Sequence, residues 1–174
     1  METCFGRKIM SAKFDVKMTK KILYDFLMTH TYRSFAGWFS ILIGLAGIVL
    51  TVSSVGKAET MMTVAYGLFS VYFLLYQPLA LYMKAAKQIK MNPMYREPLH
   101  YEVSDEGVLS SQNDQQVLIS WENILKVTES KYSFLLYTGK ISSFVLPRES
   151  MGTQITIVEG LIKKHVASGK VKIK

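Results

Sequence analysis

Two uncharged stretches that almost touch constrain this chain more than any other feature. Phe35 to Val55 is 21 residues without a charged side chain, and Thr60 to Met83 is a second such run of 24. Only Gly56-Lys57-Ala58-Glu59 separates them, room for no more than a tight turn. At about 1.5 Å per residue, a helix over the first run is roughly 31 Å long, the thickness of a bilayer core. The pattern predicts a two-span helical hairpin with spans 35–55 and 60–83. A cleaved signal peptide does not fit: the first run starts beyond residue 30, exceeds an h-region in length and is followed at once by a second. A buried soluble hairpin is the competing reading. Two adjacent all-apolar runs in a chain of 174 residues argue against it.

Charge distribution gives the expected orientation. The formal charge is +8, and mean hydropathy is +0.18. Residues 1–33 contribute +4 and residues 84–96 a further +4, whereas 34–83 and 97–174 are each neutral. Basic flanks on both outer ends of one apolar block are what the positive-inside rule produces. Both termini are therefore expected in the cytoplasm and Lys57 outside, in a multi-pass protein of the cell membrane. Lys20, Lys21, Arg33, Lys84, Lys87 and Lys90 are the candidate contacts to anionic lipid. Binding to nucleic acid would call for a basic domain, and the C-terminal region is neutral; no nucleic-acid partner is expected.

The spans carry an internal pattern. In the first, Gly37, Ser40, Gly44, Gly47, Thr51 and Ser54 recur at helical spacing; in the second, Thr60, Thr63, Gly67, Ser70, Leu74 and Gln77 do so. Small stripes let helices approach closely in lipid, so these form the candidate packing seam, with Gly44 and Gly47 facing Gly67 and Ser70, Thr51 near Thr63, and Ser40 near Leu74 or Gln77. Gln77 can bond into the seam near Ser40 or to backbone freed by Pro78. That proline removes a helical N–H and should bend the second helix near its end.

Residues 1–33 form an N-terminal region. Ser11 to Lys17 alternates like a strand, and Thr19 is placed to cap a following helix whose apolar face carries Ile22, Leu23, Phe26, Leu27 and His30. That helix is expected either as an interfacial elbow or as the start of one long helix. Residues 84–98 form a basic juxtamembrane stem. From Leu99 to Lys174 period-two alternation predicts about six short antiparallel strands, with turns at Asp105-Glu106-Gly107, Asn113-Asp114 and Thr138-Gly139-Lys140. Val117, Ile119 and Trp121 share a face, and the last strand runs from Ile141 to Leu146. A terminal helix follows from about Ser150 or Thr153, closed by Gly169, and should cover the meander's apolar face. An isolated strand cannot stand alone, so the N-terminal one is expected to extend the C-terminal sheet, beside Leu99–Ser104 or Ile141–Leu146.

Several motifs together carry a family resemblance. They are D-F-L-x-x-H-T-Y-R-S at Asp25–Ser34, D-E-G-V at Asp105–Val108 and I-S-W-E-N-I-x-K-V at Ile119–Val127. The F-x-L-Y run over Phe134–Tyr137 and V-L-P-R at Val145–Arg148 complete the set. The chain resembles the YcxB-like family of small bacterial membrane proteins. The resemblance implies a membrane α+β fold: a two-span transmembrane hairpin, then a small antiparallel β domain like a pleckstrin-homology barrel, capped by a C-terminal helix. It supplies no catalytic residues.

Chemistry is sparse. A single Cys4 excludes an internal disulfide and any CxxC motif, and three scattered histidines do not make a zinc site. No phosphate-binding, dinucleotide-binding or hydrolase motif occurs. His100, His165 and Asp105 have no recognisable spacing and could meet only through the fold. No enzyme activity, cofactor or metal is expected. Lys126, Lys131 and Lys140 could form a basic rim, but Glu122 and Glu129 balance them. The expected function is a non-enzymatic, membrane-anchored binding or scaffold module whose partners are the lipid bilayer and a protein of unknown identity. An intramembrane homo-oligomer, acting as a small pore or an immunity-type protector, is the alternative.

Overall fold

The computed structural model describes residues 10–57, 59–139 and 142–173. Cys4 and the expected strand start at Ile141 lie outside them. The chain is α+β and divides into two compact units: Leu23–Met91, and the chain before Leu23 together with Asn92–Lys174.

The second of these units holds two four-stranded sheets. Strand β1 (Ala12–Val16) buries Ala12, Phe14 and Val16 and leaves Lys13 and Asp15 outside, the period-two pattern of a half-buried strand. It pairs antiparallel with β2 (Leu99–Val103), in register from Ala12↔Val103 to Val16↔Leu99, so of the two positions expected for it the first is taken. Strands β3 (Val108–Gln112) and β4 (Gln115–Ile119) complete the order β1-β2-β3-β4. Asn113, at φ 51°, starts the two-residue turn that joins them.

The chain then leaves this sheet through a 3-10 turn, Trp121–Asn123, so Trp121 does not continue the strand face of Ile119. Strands β5 (Lys126–Glu129), β6 (Ser133–Tyr137) and β7 (Ser143–Pro147) form the second sheet, in the order β7-β6-β5-β8. Its fourth member, β8 (Val171–Lys172), runs parallel to β5 and departs from the expected simple meander. A two-residue strand carries no alternation by which to be found. One core fills the unit: Phe14, Val103, Val127, Phe134, Leu136 and Leu146 pack with Met151 of the short helix α5 (Arg148–Met151). Val158, Leu161 and Ile162 of helix α6 (Ile155–His165) join the same cluster. The helix stops at His165, and Gly169 lies beyond it in a separate 3-10 turn, Ser168–Lys170, so that glycine is not its terminator.

In the helical unit the elbow and continuous-helix alternatives resolve into two helices. Helix α1 (Lys20–Tyr32) starts on Thr19, whose Oγ1 accepts from Ile22 N at 3.3 Å. Helix α2 (Phe35–Ser54) starts afresh on Ser34, whose Oγ accepts from Gly37 N at 3.2 Å. The second apolar helix runs past Met83, through α3 (Thr60–Val71), a π-helical turn at Tyr72–Tyr76 and α4 (Gln77–Met91), and so takes in most of the expected stem. Pro78 has no N–H to give the carbonyl one turn back, and its ring would crowd it. The chain widens to i→i+5 spacing just upstream, so the distortion expected at the proline lies before it. A 3-10 turn follows at Pro93–Tyr95, with Asn92 Oδ1 accepting from Met94 N at 3.1 Å.

Among the described residues two helices are long and apolar enough to cross a membrane: Gly37–Ser54 with mean hydropathy 1.8, and Thr60–Met91 with 1.5.

Candidate functional site

The small residues of the two apolar helices meet in antiparallel register. Ser40 Oγ donates to Gln77 Oε1 at 2.8 Å, and Thr63 Oγ1 donates to the Ser54 carbonyl at 3.4 Å. Between these ends Gly44 faces Leu74, Gly47 faces Ser70, and Thr51 faces Gly67. Of the expected contacts, Gly47 meets Ser70 and Ser40 meets Gln77, whereas Gly44 faces Leu74 and Thr51 faces Gly67, about a turn from Thr63. Gly37 is constrained from another side, by the preceding helix. A Cβ on it would lie 2.0 Å from the carbonyl oxygen of Thr31, so it permits the sharp corner between α1 and α2. Two further hydroxyls turn back onto their own helices: Thr51 Oγ1 donates to Gly47 O and Ser70 Oγ to Tyr66 O, both at 2.8 Å.

The glycines differ in what they tolerate. A Cβ on Gly47 would sit 2.4 Å from Ser70 Oγ and one on Gly44 2.6 Å from Leu74 Cγ, whereas one on Gly67 would make an ordinary contact, 3.7 Å from Thr51 Cγ2. Gly47→Leu should force the helices apart at a cost of about 1–3 kcal/mol, and Gly67→Ala should change stability by less than about 0.5 kcal/mol. Thermal unfolding of the detergent-solubilised chain checks the difference; equal shifts for the two would contradict this register.

Beside the Ser40–Gln77 bond lies a groove of about 390 Å³, walled by Tyr72, Tyr76 and Leu81 among others. Its apolar wall and single amide suit an apolar chain carrying one polar group; no acid or base other than phenols lines it.

The candidate lipid contacts divide. Lys84, Lys87 and Lys90 are exposed along α4. Lys21 belongs to the β-containing unit, and its Nζ stands 4.0 Å from the centre of the Tyr132 ring in that same unit, so its charge is shared with an aromatic face. Lys20 is exposed at the start of α1, and Arg33 is exposed at the corner leading to α2; both have interactions within the chain.

The fold brings together what sequence spacing could not. Asp105, in the turn between β2 and β3, accepts on Oδ1 from Lys164 Nζ at 2.5 Å and lies 2.8 Å from His165 Nε2, both at the end of α6. The His165 ring stacks on Trp121 at 5.3 Å between centres and 9° between planes. Trp121 Nε1 donates to the Ser104 carbonyl at 2.9 Å. His100 does not join them and instead pairs with Asp15 across the β1–β2 ladder at 2.5 Å. Hydrogen bonds from Lys164, then from His165, hold the Asp105 carboxyl below its usual range. It is an ionised clasp, not a proton carrier poised near neutrality. Burial pushes the Tyr101 phenol up to about 12, so that group too stays in one protonation state.

A carboxyl depressed in the folded state adds stability above its unfolded value, about 3.9, and loses it as pH falls through the folded value. Asp105→Asn should lower the melting temperature at pH 7 and flatten its decline between pH 5 and pH 2. Parallel melting curves against pH for the two proteins would show that the clasp does not contribute.

Residues 103–158 match the family model described as YcxB-like protein. Over that part the chain is similar to the family, and the motifs at Asp105–Val108, Ile119–Val127, Phe134–Tyr137 and Val145–Arg148 all fall inside it. No curated protein and no solved structure matches.

Proposed function

We propose that the chain is a non-enzymatic, membrane-anchored binding module. The helix pair crosses the bacterial cell membrane twice as a hairpin, both termini are cytoplasmic, and the β unit is held at the inner face to engage a protein partner. The observation that carries this reading is where the large apolar side chains of the helices point. Only 22% and 6% of the two most apolar helical windows are buried, and Phe35, Met61 and Leu68 are 80%, 82% and 67% exposed. A helix pair at the core of a soluble protein would hide these groups; one in lipid would present them.

The β1–β2 pairing adds to this. An even number of spans leaves both strands on one side, where they can meet, and the β unit is then attached at both ends of the hairpin. The order of four antiparallel strands, three more and a covering helix supports a pleckstrin-homology-like domain. Lys84, Lys87 and Lys90 would stand beside anionic headgroups. The pore alternative is less supported. A conducting path needs free polar groups through its full depth, and the hydroxyls of Ser40, Thr51, Thr63 and Ser70 are engaged within the chain.

Labelling intact cells with a membrane-impermeant thiol reagent tests the topology. A thiol introduced by Lys57→Cys should react, and Cys4 should not. Labelling of Cys4 alone would overturn the orientation, and recovery of the chain in the soluble fraction would overturn the anchor.

A further inference from the structure

The two edges of the β1–β4 sheet are treated differently. At β1 the outward backbone groups of Lys13 are both occupied by one side chain. Gln154 Oε1 accepts from Lys13 N at 2.7 Å, and Gln154 Nε2 donates to Lys13 O at 2.9 Å. At Lys13 that amide does what another strand would do, and blocks the edge there.

At the opposite edge, β4 has β3 as its sole strand neighbour among the described residues. Its five residues, Gln115-Gln116-Val117-Leu118-Ile119, include no charge and no proline, the usual devices that keep an edge from pairing. Val117 and Leu118 are 52% and 56% exposed. The two-residue turn closes on the pair Gln112↔Gln115. Alternation along an antiparallel ladder then directs the backbone groups of Gln115, Val117 and Ile119 into β3, and those of Gln116 and Leu118 outward.

We propose that β4 is a homotypic docking edge, which pairs antiparallel with β4 of a second copy of this chain about a twofold axis through Val117. The proposal rests on the reading of the β unit as a binding module and names its partner. With Val117 on the axis, Gln116 lies opposite Leu118 of the second copy. The outward N–H and C=O groups of both residues are then satisfied by the same groups of an identical strand. The absence of charge from Gln115 to Ile119 lets two copies meet without like-charge repulsion. A strongly basic or acidic peptide would find no counter-charge along the strand. The twofold closes the assembly at two copies, so pairing does not propagate into a fibre. A five-residue ladder is small beside a standard interface of about 1,600 Å². Confinement of both copies to one membrane raises their effective concentration to compensate.

Disulfide trapping of the full chain in native membranes tests this, in a Cys4→Ser background. Val117→Cys places two thiols at the closely spaced, non-hydrogen-bonded pair on the axis, about 4.5 Å between Cα atoms. Gln115→Cys on the same face places them roughly 14 Å apart, beyond disulfide reach. Mild oxidation should yield at least tenfold more covalent dimer from Val117→Cys than from Gln115→Cys. Adding Leu118→Pro, which removes an outward N–H that β3 does not use, should reduce the yield at least tenfold. Co-purification of two differently tagged copies supplies a cysteine-free readout: it should succeed for the natural sequence and fail for Leu118→Pro. Equal trapping at both positions, trapping insensitive to Leu118→Pro, no trapping together with no co-purification, or a disulfide product to a different protein would each overturn the homotypic edge. Failure of the anchor reading shows separately, as loss of the chain from the membrane fraction.

Discussion

A Phe14→Ala variant should lose about 3–5 kcal/mol of stability in the β unit, the range found for truncating a buried phenylalanine. Phe14 is 7% exposed and stacks on Tyr101 with ring centres 5.9 Å apart. It belongs to the same cluster as Val103, Phe134 and Leu161, so its removal opens a cavity shared by both sheets and α6. On a domain whose total stability is about 5–15 kcal/mol, that loss should lower the melting temperature by more than about 10 °C. The amides of β2 and β3 should exchange faster in step. Lys13→Ala, on the exposed face of the same strand, should shift the melting temperature by no more than about 3 °C. A Phe14→Ala protein that melts with the natural one, or one in which only β1 loses protection, would show that the strand decorates the sheet instead of completing its core.

Gly107→Ala should cost about 3 kcal/mol or more, from two separate causes. The residue sits at φ 151°, where a side chain is strained, and a Cβ there would lie 2.1 Å from the carbonyl oxygen of Ile119. That oxygen is backbone in β4 and can move only by breaking the β3–β4 ladder. Gly152 offers the contrast: its φ is 52°, but nothing lies within 4 Å of the added atom. Gly152→Ala should cost only the backbone strain, about 1–3 kcal/mol, without the steric clash. Denaturant unfolding of both variants checks the order, and a larger loss at Gly152 would contradict the steric argument.

The alternation of Ala12, Phe14 and Val16, together with the need of any strand for a partner, was enough to send β1 to the C-terminal sheet. The uncharged length of the two runs was enough for two helices that pack through small residues. Register was less legible. The facing pairs Gly44–Leu74 and Thr51–Gly67 depend on where the connecting turn closes and on the Ser40–Gln77 bond, neither of which spacing alone fixes. Gly37 fits the stripe by period, yet its constraint is the carbonyl of Thr31 in the preceding helix, a neighbour that helical periodicity does not represent. Asp105 and His165 lie 60 residues apart and meet only because α6 returns to the β2–β3 turn. Gln154, 141 residues from Lys13, acts as a substitute strand with one side chain, and no local pattern announces that.

The order in which the chain is made gives the β1–β2 ladder a further meaning. Asp15 and His100, neighbours across it, are 85 residues apart, and both apolar helices lie between them. At about 5–20 residues per second, roughly 4–17 s pass between synthesis of the two partners. Gln154 arrives later still. Throughout that interval β1 waits with its apolar face unshielded and both edges open to chaperones and proteases. The sheet can be finished only by a chain that has produced the whole intervening segment and brought its far end back. The β1–β2 ladder can therefore close only after both apolar helices between its strands have been made.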